Sequence, residues 1–235
     1  QKILLQENIE TEWIPQSEAL KLTARKNVFI TKAFKEGLFE VQDLGSQKIS
    51  HFVNPLPGQR IVDACAGAGG KSLHMATLMQ NKGKIVSLDI HEWKLKELRK
   101  RARRDAIDII ECREIAQQKV IKRLAGSADK LLLDVPCSGV GVIKRNPDTK
   151  WKLTNKNLLQ LHATQQQILQ DYSEMVKPSG ELIYATCSIL PSENEKQIQK
   201  FLHRNSQQWQ LIVQETIKPQ SGLNDGFYMA KLVRL

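Results

Sequence analysis

The ten residues D-A-C-A-G-A-G-G-K-S, positions 63–72, follow the apolar pair Ile61-Val62 and are the strongest indication of the fold. A short apolar strand that leads through a glycine-rich turn into a helix is typical of proteins that bind nucleotides or anions. P-loop enzymes, dinucleotide-binding proteins and methyltransferases all carry such a turn. Features elsewhere in the chain discriminate among the three classes.

Beyond residue 60, short apolar runs alternate with helical stretches, which predicts βαβ units and a mostly parallel sheet. We predict strands at 60–64, 84–89, 108–112, 130–134 and 181–186, and helices at about 71–81, 92–105, 117–124, 156–176 and 192–203. Two more predicted strands, at 210–214 and 227–235, are expected to form an antiparallel edge of the sheet at the C-terminus. The predicted fold is therefore α/β and Rossmann-like, with a mostly parallel seven-stranded sheet and an antiparallel C-terminal strand.

The first 55 residues are less periodic and end at the linker-like run 54–58, which contains two prolines and a glycine. We predict that residues 1–55 form a small appended region for packing or RNA binding, shortened at its N-terminus. Residues 56–235 are predicted to form the catalytic domain.

The composition indicates a polyanionic partner, because 35 Lys and Arg residues against 25 Asp and Glu give a net charge of +10. The basic run 94–104 is nevertheless interpreted as the solvated face of an outer helix. No apolar run is long enough to span a bilayer, so no membrane partner is expected. The cysteines are far apart and form no C-x-x-C pair, which predicts a reducing cytoplasm, no disulfide framework and no metal site.

The glycine turn departs from two of the three nucleotide-binding patterns. Gly70-Lys71-Ser72 match the end of a P-loop, but Cys65 occupies the position of its first glycine. The dinucleotide pattern lacks its third glycine at the required spacing. Asp89, which ends the next predicted strand, suits the hydroxyls of a ribose. The small residues of the turn allow the close backbone approach that S-adenosylmethionine needs, so a nucleoside cofactor is predicted.

Two cysteines follow the ends of neighbouring predicted strands. Cys137 lies in the run D-V-P-C-S-G, positions 134–139, and Cys187 lies in Y-A-T-C-S, positions 184–188. Ligands of an open parallel sheet bind beyond the carboxyl ends of its strands, so both thiols are expected beside the cofactor pocket. A cysteine in such a place is a candidate nucleophile.

Together, the glycine turn and the two cysteine motifs resemble the RNA (cytosine-5) methyltransferases of the Sun/Fmu (RsmB)/NOP2 type. The similarity continues through residues 37–43, 141–151 and 225–231. It implies a class I S-adenosylmethionine-dependent fold and methylation of carbon 5 of a cytosine in RNA. Ribosomal RNA is the first expectation for the substrate and transfer RNA the alternative. We expect a cytoplasmic monomer.

The resemblance also implies roles for individual residues. Cys187 is the nucleophile that attacks carbon 6 of the cytosine, Cys137 assists release of the product, and Asp134 lies beside the target base. Lys71 contacts the pocket or lowers the pKa of a thiolate, unless it is a solvated lysine. The implied cofactor contacts are Cys65, Ala66, Gly67, Ala68, Gly69, Gly70, Lys71, Asp89 and Asp134. The expected RNA contacts are Lys144, Arg145, Asn146 and Lys150.

The chain departs from the family pattern in two places. The usual turn C-A-A-P-G-G-K-T is changed at Gly67, Ala68 and Ser72, all of them small. The third strand, where the family places an Asp near the adenine, has none in residues 111–115, so that contact is unassigned. A catalytically silent RNA-binding or assembly factor therefore stays an alternative, as does a P-loop-like nucleotide-binding enzyme.

Overall fold

The strands of the main sheet correspond to apolar runs of the sequence. A strand that helices cover on both faces buries the side chains of both faces, so most of its residues are apolar. The computed structural model describes residues 1–115 and 118–235, with the side chain of Gln118 left aside. The strands in these residues are β1 (Thr11–Trp13), β2 (Leu20–Leu22), β3 (Arg60–Asp63), β4 (Lys84–Asp89), β5 (Ile110–Glu114), β6 (Ala128–Asp134), β7 (Val176–Thr186), β8 (Trp209–Ile217) and β9 (Phe227–Arg234).

Helices cover both faces of the main sheet. Those in the described residues are α1 (Lys2–Gln6), α2 (Lys32–Lys35), α3 (Leu44–Val53), α4 (Gly70–Leu78), α5 (Glu92–Arg104), α6 (Gln118–Leu124), α7 (Thr149–Lys152), α8 (Asn155–Tyr172) and α9 (Glu195–Asn205). None of them is long and apolar enough to cross a membrane.

The main sheet has the strand order β5-β4-β3-β6-β7-β9-β8. Strands β3 to β7 are parallel, whereas β9 is antiparallel to both of its neighbours. This arrangement confirms the predicted α/β fold with an antiparallel C-terminal strand. The chain leaves β3 towards β4 on one side, while β6 lies on the other. A ligand crevice is therefore expected at the carboxyl ends of β3 and β6.

The bounds of several elements differ from the prediction. Strand β4 lies where it was expected, but β5 begins at Ile110 and β7 begins at Val176, five residues early. The early part of β7 contains a bulge, because Val176 pairs with Ala128 whereas Glu181 pairs with Lys130. The predicted helix 117–124 corresponds to α6, and its first residue lies outside the described residues.

The core is divided by the sheet, since successive side chains of a strand point to opposite faces. Leu131 and Leu133 of β6 belong to one buried cluster, and Leu132 belongs to the other. Helix α3 contributes Ile49 and Val53, both fully buried, to the second cluster. The N-terminal region is thus packed directly on the sheet. The predicted domain boundary at residue 55 stays a prediction.

Candidate active site

The glycine turn after β3 is fixed by close packing. Gly69 has φ +87° at the start of α4, and a Cβ there would overlap the Cδ1 atom of Leu98. A residue other than glycine would meet both the backbone cost and this overlap. Gly67 also has a positive φ, but a Cβ there would meet nothing within 4 Å. The turn is therefore packed at Gly69 and open at Gly67.

Asp89, at the end of β4, holds the open part of the turn. Its carboxylate accepts hydrogen bonds from the backbone N–H groups of Gly67 and His91, both at 2.9 Å. From the other side, Arg101 of α5 donates to the carbonyl oxygen of Ala68 at 2.6 Å. The predicted cofactor loop thus lies between β4 and α5.

Helix α5 is not solvated along its whole basic run. Arg101 is paired with Glu40 at 2.9 Å, and Arg104 is paired with both Glu40 and Asp105. The interpretation as a purely solvated face is wrong for these two arginines, since both pair with Glu40 of the N-terminal region and Arg101 also contacts the cofactor loop.

Beneath the turn, Ser72 donates a hydrogen bond to the Asp63 carboxylate at 2.6 Å and contacts the Ser87 hydroxyl at 2.9 Å. Burial raises the pKa of Asp63 to about 6. Ser72 stands where the family pattern has threonine, and it supplies the hydroxyl for this network. Asp63 and Ser87 were not among the predicted site residues, because both lie within strands and their hydrogen bonds to Ser72 appear only in the structure.

Lys71 lies inside the site. Its Nζ atom is 2.5 Å from Oδ2 of Asp134, which ends β6. Burial works against the positive charge, but the carboxylates of Asp134 and Asp63 outweigh it and raise the pKa of Lys71. The solvated-lysine alternative is therefore wrong. The ion pair places a fixed ammonium and a carboxylate between the cofactor loop and the cysteine motifs.

The two motif cysteines are in contact, with their Sγ atoms 3.2 Å apart and both thiols free. A hydrogen bond from Cys137 lowers the pKa of Cys187, and the Lys71 ammonium adds to this effect against burial and Asp134. The same contact and burial raise the pKa of Cys137. Burial also raises the pKa of Cys65, in the cofactor loop. Cys187 is therefore the thiol of the three that ionises first.

Glu193 connects the cysteine motifs to the helical layer. It is fully buried and accepts hydrogen bonds from the N–H of Ser138 at 2.8 Å, from the Ser138 hydroxyl, and from the Gln165 amide at 3.0 Å. Asn194 contacts the Thr186 hydroxyl at 2.6 Å, on the strand that leads to Cys187. Both residues lie in the predicted helix 192–203. Because the prediction assigned them to a helix, they were not considered as site residues. In the structure α9 begins only at Glu195, so both residues lie in the loop before it.

The loop after Cys137 is joined to the ends of two strands. The Gly141 N–H donates to the carbonyl of Cys187 at 3.0 Å, and the Gly226 N–H donates to the carbonyl of Gly141 at 2.8 Å. The Arg145 guanidinium lies 2.7 Å from Asp43 and 2.6 Å from Asp225. Asp43 and Asp225 were not predicted as functional residues.

The remaining predicted RNA contacts lie along the segment of residues 143–152. A cavity of about 620 Å³ runs beside this segment and reaches Cys137 and Ser138. Trp151 is 79% exposed, with the Lys150 ammonium 5.1 Å from its ring centroid. The cavity therefore leads from Arg145, Asn146 and Lys152 of this segment to Cys137.

On β5, Glu111 is paired with Lys84 at 2.6 Å and with Arg113, and the hydrogen bond from Arg113 contributes most to lowering its pKa to about 2. Glu111 is thus engaged on the strand, and the adenine contact stays unassigned. Among the described residues, no group of three or more His, Cys, Asp or Glu side chains could hold a metal ion.

Comparison with known proteins gives a consistent result. The family profile described as "16S rRNA methyltransferase RsmB/F" matches residues 50–233. The ribosomal RNA small subunit methyltransferase B of Pasteurella multocida is 36% identical over 250 residues, covering 98% of this chain and 54% of that protein. The chain spans about half the length of the curated relatives it matches.

Two solved structures are similar over most of the chain. The structure of PH0851 superposes with a TM-score of 0.91 at 31% identity, covering 98% of this chain and 55% of that one. The structure of NSun6 from Pyrococcus horikoshii with SFG gives a TM-score of 0.80 at 25% identity, covering 92% of this chain and 59% of that one.

Proposed function

Because the chain belongs to the 16S rRNA methyltransferase RsmB/F family, we propose that it transfers a methyl group from S-adenosylmethionine to carbon 5 of a cytosine in RNA. The family expected from the cysteine motifs is confirmed. Ribosomal RNA of the small subunit is the proposed substrate, as the name of the Pasteurella multocida relative suggests. The observation that carries the proposal is the contact of two free thiols, 3.2 Å apart, beside the pair of Lys71 and Asp134.

The residues around the glycine turn fit S-adenosylmethionine. The space beside Gly67 is open, and the nearly buried Asp89 carboxylate lies next to it. We assign the ribose hydroxyls to Asp89 and the methionine part to the backbone of residues 65–70. When bound, S-adenosylmethionine supplies a methyl group activated by its sulfonium. The structure of NSun6 from Pyrococcus horikoshii was solved with SFG, which supports the binding of a ligand by this fold.

Carbon 5 of cytosine is a poor nucleophile, and the chain's own thiols address this difficulty. The Cys187 thiolate adds to carbon 6 and forms a sulfur–carbon bond, which makes carbon 5 enamine-like and able to accept the methyl. As negative charge develops on the ring, Asp134 either passes a proton that it holds to the base or, as a carboxylate, accepts a hydrogen bond from the amino group of the base. The Lys71 ammonium, 2.5 Å away, holds this carboxylate in place.

Release of the product needs a base that removes the proton from carbon 5, after which Cys187 leaves carbon 6. In the free protein the contact with Cys187 is the largest cause of the raised pKa of Cys137. Once Cys187 is bonded to carbon 6, its negative charge is gone and the pKa of Cys137 falls. Cys137 thereby becomes able to take the proton after the first step has occurred.

The substrate cytosine must be single-stranded or flipped out to reach Cys187. Lys144, Asn146 and Lys150 are proposed to contact the RNA backbone. The exposed Trp151 is proposed to stack on a base. The cavity of about 620 Å³ beside this segment leads to Cys137 and offers a path for the strand.

Substitution of each cysteine tests the mechanism. The assay uses small-subunit ribosomal RNA from cells that lack the gene, and a matched RNA carrying a carbon-5-modified cytosine analogue. Cys187→Ala is expected to abolish both methylation and covalent trapping. Cys137→Ala is expected to accumulate a denaturation-resistant protein–RNA adduct on unmodified RNA. Ser206→Ala, at the exposed C-terminal end of α9 and outside the proposed site, serves as the control.

Two outcomes contradict the proposal. Full methylation by Cys187→Ala excludes the covalent mechanism. Binding of RNA by the wild-type chain without methylation, at saturating S-adenosylmethionine, supports the silent RNA-binding alternative instead.

A further inference from the structure

The guanidinium of Arg145 bridges the carboxylates of Asp43 and Asp225, which are 182 residues apart in the chain. The backbone N–H of Asp225 also donates a hydrogen bond to the Asp43 carboxylate. The Asp43 and Asp225 side chains are only 8% and 9% exposed, whereas that of Arg145 is 55% exposed. Arg145 therefore compensates two nearly buried negative charges. Removing a guanidinium from such a place leaves the charges uncompensated, which is costly.

Both carboxylates are fixed points of the fold. Asp43 begins α3 by accepting from the Gly45 N–H at 2.8 Å, and the Asp225 N–H donates to Asp43 at 3.2 Å. Asp225 lies two residues before β9, which pairs with β7, the strand that leads to Cys187. Arg145 is thus tied to the frame that carries Cys187.

The segment between Cys137 and Arg145 has little freedom. At one end Ser138 is held by Glu193, and in the middle Gly141 lies between Cys187 and Gly226 through two backbone hydrogen bonds. A Cβ at Gly141 would overlap the carbonyl of Gly226. At its other end, the segment is held by the two ion pairs of Arg145 with Asp43 and Asp225.

We propose that Arg145 is a positioning residue that holds the Cys137 thiol against Cys187, instead of a contact to RNA phosphate. Its positive charge is already compensated by Asp43 and Asp225, which weakens its attraction to a phosphate. Lys150 provides the contrast on the same segment. Its ammonium lies over the Trp151 ring and, among the described residues, forms no ion pair. The catalytic meaning of the inference rests on the proposed function, but the positioning itself does not.

The first test measures the distance between the thiols without using RNA. Diamide joins Cys137 and Cys187 in a disulfide: the two thiols give up two protons and two electrons, and the diazene is reduced to a hydrazine. The rate is followed by mass spectrometry of the linked peptides. Arg145→Gln is expected to slow this reaction at least about tenfold, because small displacements are costly for reacting groups in contact. The rate of disulfide formation in Arg145→Lys is expected to lie between those of the wild type and Arg145→Gln. The rate in Lys150→Gln is expected to match that of the wild type.

The second test separates positioning from RNA binding. Arg145→Gln is expected to lower kcat, to leave the RNA Kd and its salt dependence unchanged, and to accumulate the adduct expected of Cys137→Ala. Lys150→Gln is expected to weaken RNA binding and to reduce the slope of log K against log salt by about 0.7. The two variants remove the same charge from one segment, so they are matched controls.

Stability of the variants is checked by thermal unfolding. If Arg145→Gln does not fold, the double variant Arg145→Gln/Asp225→Asn removes one of the two uncompensated charges, and the same slow disulfide formation is expected. A wild-type disulfide rate in either folded variant overturns the inference, as does a reduced salt slope in Arg145→Gln. If the wild-type chain forms no methylated product while the disulfide rates follow the expectation, the proposed function fails and the positioning role stands.

Discussion

Replacing Lys71 by methionine tests whether its ammonium sets the acidity of the Cys187 thiol. In the wild type this ammonium lowers the pKa of Cys187, while the Asp134 carboxylate raises it. Methionine keeps the length of the side chain and removes the charge. The variant leaves Asp134 unopposed, so both consequences of the substitution raise the pKa of Cys187.

The magnitude follows from the burial of the pair. The Lys71 side chain is 14% exposed and that of Asp134 is 27% exposed, so screening by water is incomplete. A neighbouring opposite charge shifts a pKa by about one to three units. We expect about one unit here, the lower end of that range, because both side chains keep part of their contact with water. At a pH below the pKa of the thiol, the thiolate fraction of Cys187 therefore falls about tenfold.

The assay is the rate of alkylation of Cys187 by iodoacetamide across a pH series, read from the modified peptide by mass spectrometry. The difference between wild type and Lys71→Met is largest below both pKa values and vanishes above them. Lys94→Met is the control, since Lys94 pairs with Asp89 at 3.9 Å on the cofactor side. The double variant Lys71→Met/Asp134→Asn is expected to recover most of the wild-type rate. Identical pH profiles for wild type and Lys71→Met would refute the reasoning.

Two further predictions concern packing and buried hydrogen bonds. Gly69→Ala is expected to lower the free energy of unfolding by more than the backbone cost of about 1–2 kcal/mol, because the new methyl group overlaps the side chain of Leu98. The same variant is expected to bind S-adenosylmethionine more weakly, as measured by calorimetry. Gly67→Ala is the control for the backbone cost, and equal losses would contradict the packing argument. Glu193→Ala is expected to cost about 3 kcal/mol in urea unfolding, because Ser138 and Gln165 lose their buried acceptor. Glu193→Gln keeps an acceptor oxygen and is expected to cost about 1 kcal/mol; a greater loss for glutamine than for alanine would contradict it.

Local patterns predicted much of the fold and the centre of the site. The continuous apolar run of β4 matches its predicted bounds, since a strand buried on both faces needs no distant information. Cys137 and Cys187 could be expected to meet, because both follow parallel strands whose carboxyl ends share one edge. In the structure their Sγ atoms are 3.2 Å apart, whereas their catalytic roles stay predictions. The location in the cytoplasm, the monomeric state and the domain boundary stay predictions.

Residues that act through distant partners could not be predicted in this way. Glu193 looks like part of a helix in the sequence, and only its hydrogen bond to Ser138, 55 residues away, reveals its role. Arg145 looks like a phosphate contact because its neighbours are basic. Its two carboxylates lie near opposite ends of the chain, and no local pattern connects positions that far apart.

The insertion of β9 between β7 and β8 has a consequence for biosynthesis. A nascent chain that has emerged only as far as Ile217 holds both cysteines and the whole cofactor loop, but lacks Asp225 and Gly226. Strand β8 has then no neighbour in the sheet, since β9 separates it from β7. The thiols follow β6 and β7, which pair with each other directly, but the contacts of Gly226 with Gly141 and of Asp225 with Arg145 form only once β9 has been made. A partly translated chain can therefore pair β6 with β7 before the segment that follows Cys137 is held by Asp225 and Gly226.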